Sequence, residues 1–94
     1  MFVYILECAD DTYYTGVTNN PELRTERHNA GIKPSSYTFT RRPVNLVFQL
    51  MVSSPRQAIA FEKKIKKWSR AKKQALINDQ YEKLPALSKK KFKK

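Results

Sequence analysis

The spacing of apolar residues along the chain changes several times, and each change marks a structural element. Phe2-Val3-Tyr4-Ile5-Leu6-Glu7-Cys8 is a short β-branched and aromatic run, which predicts a strand covered on both faces. Ala9-Asp10-Asp11 reads as a turn and Thr12 to Thr18 as a second strand, so the first two elements form a hairpin. Alternation places Tyr14, Gly16 and Thr18 on one face of that strand and Tyr13, Thr15 and Val17 on the other. Asn20-Pro21-Glu22 is a helix start. The amide can cap, proline suits the first helical position, and the acid meets the positive end of the dipole. This helix should reach about Ala30, with Gly31 as a left-handed terminator. Gly16 is the other of the chain's two glycines and sits inside a strand, where glycine usually marks a close approach.

Residues 32–43 show no apolar period, contain two prolines and end in Arg41-Arg42-Pro43, so they read as a loop. Val44 to Val52 is the third strand. Ser54-Pro55 opens a second helix that runs to about Trp68, and Ser69 caps a third through Ile77. The remainder, ending Ser88-Lys-Lys-Lys-Phe-Lys-Lys94, carries too little apolar surface to order by itself. The 94 residues suffice for one domain and one core. The expected division is a domain over 1–80 and a basic, flexible tail over 81–94.

Charge sharpens this division. Residues 1–55 hold five Lys/Arg against five acids; residues 56–94 hold fourteen against three, and so carry the whole net charge of +11. Such asymmetry creates a positive field on one side, suited to a polyphosphate chain or, as the rival, an anionic membrane surface. Cys8 is the only cysteine. It cannot form an internal disulfide or a cysteine-rich zinc site. No stretch approaches the ~20 apolar residues that span a bilayer, and a cytoplasmic protein is expected.

Three features carry chemistry. On the second helix, Ala58, Phe61, Ile65 and Trp68 form one stripe, extended by Ile59, and Glu62 lies inside that arc. A carboxylate there is costly unless paired. It is either a structural ion pair to an arginine, with the helix rotated toward the rim as a variant, or a ligand for an oxygen-preferring ion such as Mg²⁺. Arg24 and the only histidine, His28, share a face of the first helix at i and i+4. A lone helical histidine is ordinarily a packed or surface residue; with the arginine it also suits binding a phosphate and moving a proton. Tyr4, Tyr13 and Tyr14 lie on adjoining strands, where aromatics are ordinarily core, although a tyrosine near cations can exchange a proton.

In order, a tyrosine, Tyr-x-Gly ten residues later, Arg and His on the next helix and Glu on a later one resemble the GIY-YIG nuclease family, closest to its small stand-alone bacterial type. Phe2-Val3-Tyr4 stands at the GIY position and Tyr14-Thr15-Gly16 at the YIG position. Arg41-Arg42-Pro43 and Ser69-Arg-Ala-Lys-Lys73 add to the likeness, which spans roughly residues 1–80. Phe2-Val3 replaces Gly-Ile and Thr15 replaces Ile. For the additional polar residue that some members carry on the following helix, Gln74 is the nearest candidate and Asn78 the next.

The resemblance implies an α+β fold, a three-stranded antiparallel sheet flanked by helices. It also implies a metal-dependent endonuclease acting on DNA by one-metal, in-line hydrolysis, of the repair or recombination type. Tyr4, Tyr14, Arg24, His28 and Glu62 are then the catalytic set. Glu62 would hold one Mg²⁺ or Mn²⁺ ion, Arg24 would stabilise phosphoryl charge, and Tyr4 or Tyr14 would take the proton from water with help from His28. Gly16 would keep the strand surface open for the phosphate. The candidate nucleic-acid contacts are Arg41, Arg42, Lys63, Lys66, Lys67, Arg70, Lys72 and Lys73. A small domain with no sequence-reading module should act on DNA structure or with weak sequence preference, as a monomer and away from membranes. Two alternatives remain: a nucleic-acid-binding module on the same fold without turnover, and a basic interaction protein without a site.

Overall fold

The strands and helices fall where short-range chemistry places them. A computed structural model describes residues 1–78; the expected tail over 81–94 lies outside the described residues. The order is β1 (Phe2–Glu7), β2 (Tyr13–Thr18), α1 (Pro21–Ala30), a 3₁₀ turn (Phe39–Arg41), β3 (Asn45–Met51), α2 (Pro55–Lys66) and α3 (Arg70–Ile77). The strands form one antiparallel sheet in the order β2-β1-β3. It is the α+β arrangement expected above.

All three α-helices begin on the caps read from the sequence. The side chains of Asn20, Ser54 and Ser69 accept from the backbone N–H groups of Leu23, Gln57 and Lys72, satisfying donors that the first helical turn leaves open. Gly31 ends α1 at φ 66°, ψ 35°, a left-handed conformation that is unstrained without a Cβ. α2 stops two residues short of Trp68, at Lys66.

The central strand β1 is buried on both faces, and its alternation builds two cores. Val3 and Ile5 face α2 and α3 through Ala58, Ile65 and Leu76, with Phe61 and Trp68 packed against them. Ile59 does not extend that stripe as expected: it is 43% exposed, because the contact with the sheet is narrower than the apolar arc. Tyr4, Leu6 and Cys8 face the other way, onto Val44, Tyr14 and Leu46. A β-bulge interrupts the β1–β3 register: Ile5 pairs with Phe48 and Leu6 with Leu46. Val47 is the extra residue, which lets Val47 and Phe48 both pack against the first core.

Asn29, near the end of α1, bonds the backbone of Val44 twice. Its Oδ1 accepts from the Val44 N–H at 2.7 Å and its Nδ2 donates to the Val44 carbonyl at 2.9 Å. This fixes α1 over the second core. The hairpin turn is held from the loop side, where the Ala9 N–H donates to the Arg41 carbonyl and Arg41 pairs with Asp10 at 3.0 Å.

Candidate active site

Tyr4 is the hub of the second core and is 1% exposed. Its cross-strand partner is Gly16. A Cβ at Gly16 would lie 2.7 Å from the Tyr4 hydroxyl and 2.8 Å from the ring. Glycine there makes room for the Tyr4 phenol. The expectation was that Gly16 keeps the strand surface open for a phosphate; instead the Tyr4 side chain fills the space beside it.

α1 brings two polar side chains to this ring. His28 Nε2 lies 3.4 Å from the Tyr4 hydroxyl, and His28 Nδ1 lies 2.6 Å from the hydroxyl of Thr38. Arg24 stands one turn earlier, exposed, and its charge acts on both Tyr4 and His28. Burial, and then the Arg24 cation, hold the His28 ring below the usual imidazole range. Burial also pushes the Tyr4 phenol well up, as do Tyr14 and Glu62, while Arg24 opposes them. Both effects favour the neutral form of the side chain at neutral pH.

Tyr14, also on this face of the sheet, is half-buried. The His28 ring meets it edge-on at 5.1 Å, and the Tyr37 ring stacks on it at 6.0 Å and 24°. Arg41 covers the Tyr37 ring, with its guanidinium carbon 3.9 Å from the ring centre. Tyr14, Arg24 and His28 line one cleft of about 470 Å³ with Arg27, Lys33 and Tyr37. Tyr4 lies behind this cleft rather than in its wall.

Glu62 comes from α2, which packs on β1 and β2. Its side chain is 16% exposed and pairs with Lys66 at 2.8 Å. The expected ion pair therefore exists, but with a lysine one turn on rather than an arginine. The Glu62 charge reaches Tyr4, and Lys66 is in electrostatic range of Tyr14. Glu62 thus joins the cluster electrostatically without lining the cleft. Among the described residues, no three His, Cys, Asp or Glu side chains could together hold a metal ion. A single carboxylate does fit a hydrated Mg²⁺-type ion that is completed by water and substrate phosphate, and does not fit a structural zinc or calcium cage.

A model of the GIY-YIG catalytic domain matches residues 1–75. The chain belongs to the GIY-YIG family. Among similar GIY-YIG relatives, the UPF0213 protein SH2523 of Staphylococcus haemolyticus is 49% identical over 78 residues, covering 83% of this chain and 94% of that protein. A UPF0213 protein of Syntrophus aciditrophicus is 48% identical over 83 residues, 88% of this chain and 95% of that one. The solution NMR structure of the UPF0213 protein BH0048 from Bacillus halodurans superposes with a TM-score of 0.52 at 38% identity, covering 82% of this chain and 81% of that one. The relatives are small stand-alone proteins, and the GIY-YIG domain makes this chain nuclease-type, with nucleic acid as its class of substrate.

Within this GIY-YIG domain, the eight cations expected to touch nucleic acid do not form one free surface. Lys63 on α2 and Lys67 just past its end are exposed, and Lys66 is exposed but paired with Glu62. Arg41 is tied to Asp10 and Tyr37. Arg42 donates to the carbonyls of Phe39 and Asn29 and stacks on Phe39. Arg70 donates to the Asp11 carbonyl and covers the Tyr13 ring. Lys72 is buried with its ammonium 4.0 Å from the centre of the Trp68 ring. It therefore offers no surface charge, contrary to expectation. Lys73 is half-buried, and burial lowers its pKa. Gln74 and Asn78 are exposed. The sequence reading passed over Tyr37, Thr38 and Asn29, because a loop without apolar period and a polar helix end give no local signal of long-range contacts. No helix among the described residues is long and apolar enough to cross a membrane.

Proposed function

We propose that this protein is a divalent-metal-dependent endonuclease that hydrolyses phosphodiester bonds in DNA, directed by DNA structure or by weak sequence preference. The carrying observation is the gathering of Tyr14, Arg24 and His28 in one cleft, with Tyr4 behind it in electrostatic contact with Glu62. Each group has a part suited to its surroundings. Glu62 would hold one Mg²⁺ or Mn²⁺ ion, which when bound polarises a phosphate oxygen and stabilises the leaving oxygen. Arg24, exposed at the cleft, binds the phosphoryl oxygens and stabilises their charge in the transition state. Tyr14 reaches the cleft and takes a proton from the attacking water while releasing its own to solvent. Tyr4 is sealed in the core with its pKa pushed up and keeps its proton. His28 orients Tyr14.

The Glu62–Lys66 pair favours one second reading, a nucleic-acid-binding module on the same fold without turnover. Purified protein incubated with labelled branched and linear DNA and with RNA, with and without Mg²⁺ or Mn²⁺, separates the two. Metal-dependent cleavage of DNA is the expected result. Glu62→Gln should keep the fold and abolish cleavage; equal rates for this variant and the wild type at saturating Mg²⁺ would remove Glu62 from the mechanism.

A further inference from the structure

We infer that Thr38, in the loop between α1 and β3, is a positioning residue: its hydroxyl accepts a hydrogen bond from His28 Nδ1–H and fixes the imidazole as the Nδ1–H tautomer, with the Nε2 lone pair turned to the Tyr4 phenol. The assignment follows from counting protons. Thr38 is 1% exposed. Its hydroxyl lies 2.6 Å from His28 Nδ1 and 3.1 Å from the hydroxyl of Ser36. Tyr4 is equally buried, and among the described residues its hydroxyl has one hydrogen-bond partner, His28 Nε2.

Two proton arrangements are possible along this chain. If Nε2 carried the hydrogen, it would donate to the Tyr4 oxygen, and the buried phenolic proton would have no acceptor among these groups. If Nδ1 carries it, Tyr4 donates to Nε2, His28 donates to Thr38, and Thr38 donates to Ser36. The Tyr4, His28 and Thr38 protons then each have an acceptor, and a buried donor left without one is costly. The histidine side chain in water favours the Nε2–H form, so a partner at Nδ1 must reverse that preference.

The consequence extends to Tyr14. A ring held at both nitrogens has no freedom to turn, and its edge abuts the Tyr14 ring. Tyr37, the residue before Thr38, stacks on Tyr14. Residues 36–38 therefore act as one brace. Its effect on turnover rests on the nuclease reading above; its effect on the tautomer does not.

The test uses the full chain labelled with ¹⁵N. His28 is the only histidine, so its two ring nitrogens are read without assignment ambiguity in a long-range ¹H–¹⁵N spectrum at about pH 8, above the ordinary histidine pKa. The expected spectrum shows a protonated Nδ1 and an unprotonated Nε2. Thr38→Val should return the ring toward Nε2–H, and Thr38→Ser should retain Nδ1–H. A wild-type ring in the Nε2–H form overturns the proposal, as does a folded Thr38→Val that keeps Nδ1–H. Should the valine variant not fold, the wild-type and serine spectra decide the matter. Where cleavage is measurable, Thr38→Val should lower kcat by about tenfold to a hundredfold with KM little changed, and serine should recover most of it. An undiminished kcat with the tautomer reversed removes the positioning role. If the wild type cleaves nothing, the nuclease reading fails and the spectra still judge this one.

Discussion

Two tyrosines in neighbouring strands differ because one is sealed and the other is wetted. Tyr4 rests on Gly16 and is closed off by His28; Tyr14 forms part of the cleft wall. Tyr14→Phe should therefore lower kcat on DNA by about a hundredfold or more, the scale of a lost general base. Tyr4→Phe should cost less, because it removes one hydrogen bond to His28 and leaves the ring packing in place. Single-turnover rates of the two variants check this, and the reverse ranking would make Tyr4 the base. His28 also shapes the pH dependence of stability. Its folded-state pKa lies below the unfolded value because burial and Arg24 disfavour the cation. Between those two values the unfolded chain binds the extra proton, so stability is complete above the ordinary histidine pKa of about 6.5 and falls as the pH drops through that window. Urea midpoints between pH 7.5 and 5.5 should fall for the wild type and fall less for His28→Gln. Asp10, whose hydrogen bonds from Thr12 hold its carboxyl below the usual range, acts in the same direction but at lower pH.

At the scale of elements, the site depends on how α1 is fastened to the sheet. α1 has few apolar residues, and among its own residues Pro21 alone is buried. Its position over the second core owes much to the paired bonds from Asn29 to the Val44 backbone. Asn29→Ala would leave a buried N–H and C=O unmet. The expected cost is about 1–3 kcal/mol of stability, read from urea unfolding, with a further loss of cleavage because Arg24 and His28 ride on the same helix. A variant with wild-type stability would show that α1 is held elsewhere. The loop that follows is equally structural. Tyr37, Thr38, Arg41 and Arg42 each contact a different neighbour, so a stretch without secondary structure over most of its length braces the hairpin, His28 and the end of α1.

At the scale of the whole molecule, charge and chemistry are separated along the sequence. Residues 56–94 carry the net charge of +11, whereas of the five proposed site residues all but Glu62 (Tyr4, Tyr14, Arg24 and His28) lie in the neutral part. Binding should therefore weaken with salt, by a log–log slope of about −0.9 for each duplex phosphate neutralised. Deleting residues 88–94 removes five lysines. That truncation should lower affinity for DNA and flatten the slope, while leaving the single-turnover rate at saturating DNA unchanged. An unchanged affinity at low salt would exclude these lysines from the binding surface. Loss of turnover at saturation would instead mean that the tail helps build the site.

What the sequence determined by itself was whatever depends on neighbours a few residues away. Asn20, Ser54 and Ser69 cap because a side-chain oxygen reaches an N–H three residues on. Gly31 terminates because of its own backbone freedom, and the two faces of β2 follow from a period of two. The order of Tyr4, Tyr14, Arg24, His28 and Glu62 along the chain carried the resemblance to the GIY-YIG pattern, and the resemblance, not the spacing alone, implied their roles. Tertiary structure decided the rest. The bulge at Val47 exists because two cores must be filled at once. Gly16 is glycine because Tyr4, on another strand, occupies the place of its Cβ. Lys72 looks like surface charge in a basic run, yet it packs on Trp68 once α3 turns back. Thr38 meets His28 ten residues away because the intervening loop folds over the cleft. No local pattern encodes such a meeting; it arises only when distant segments are brought together by burial of the cores between them.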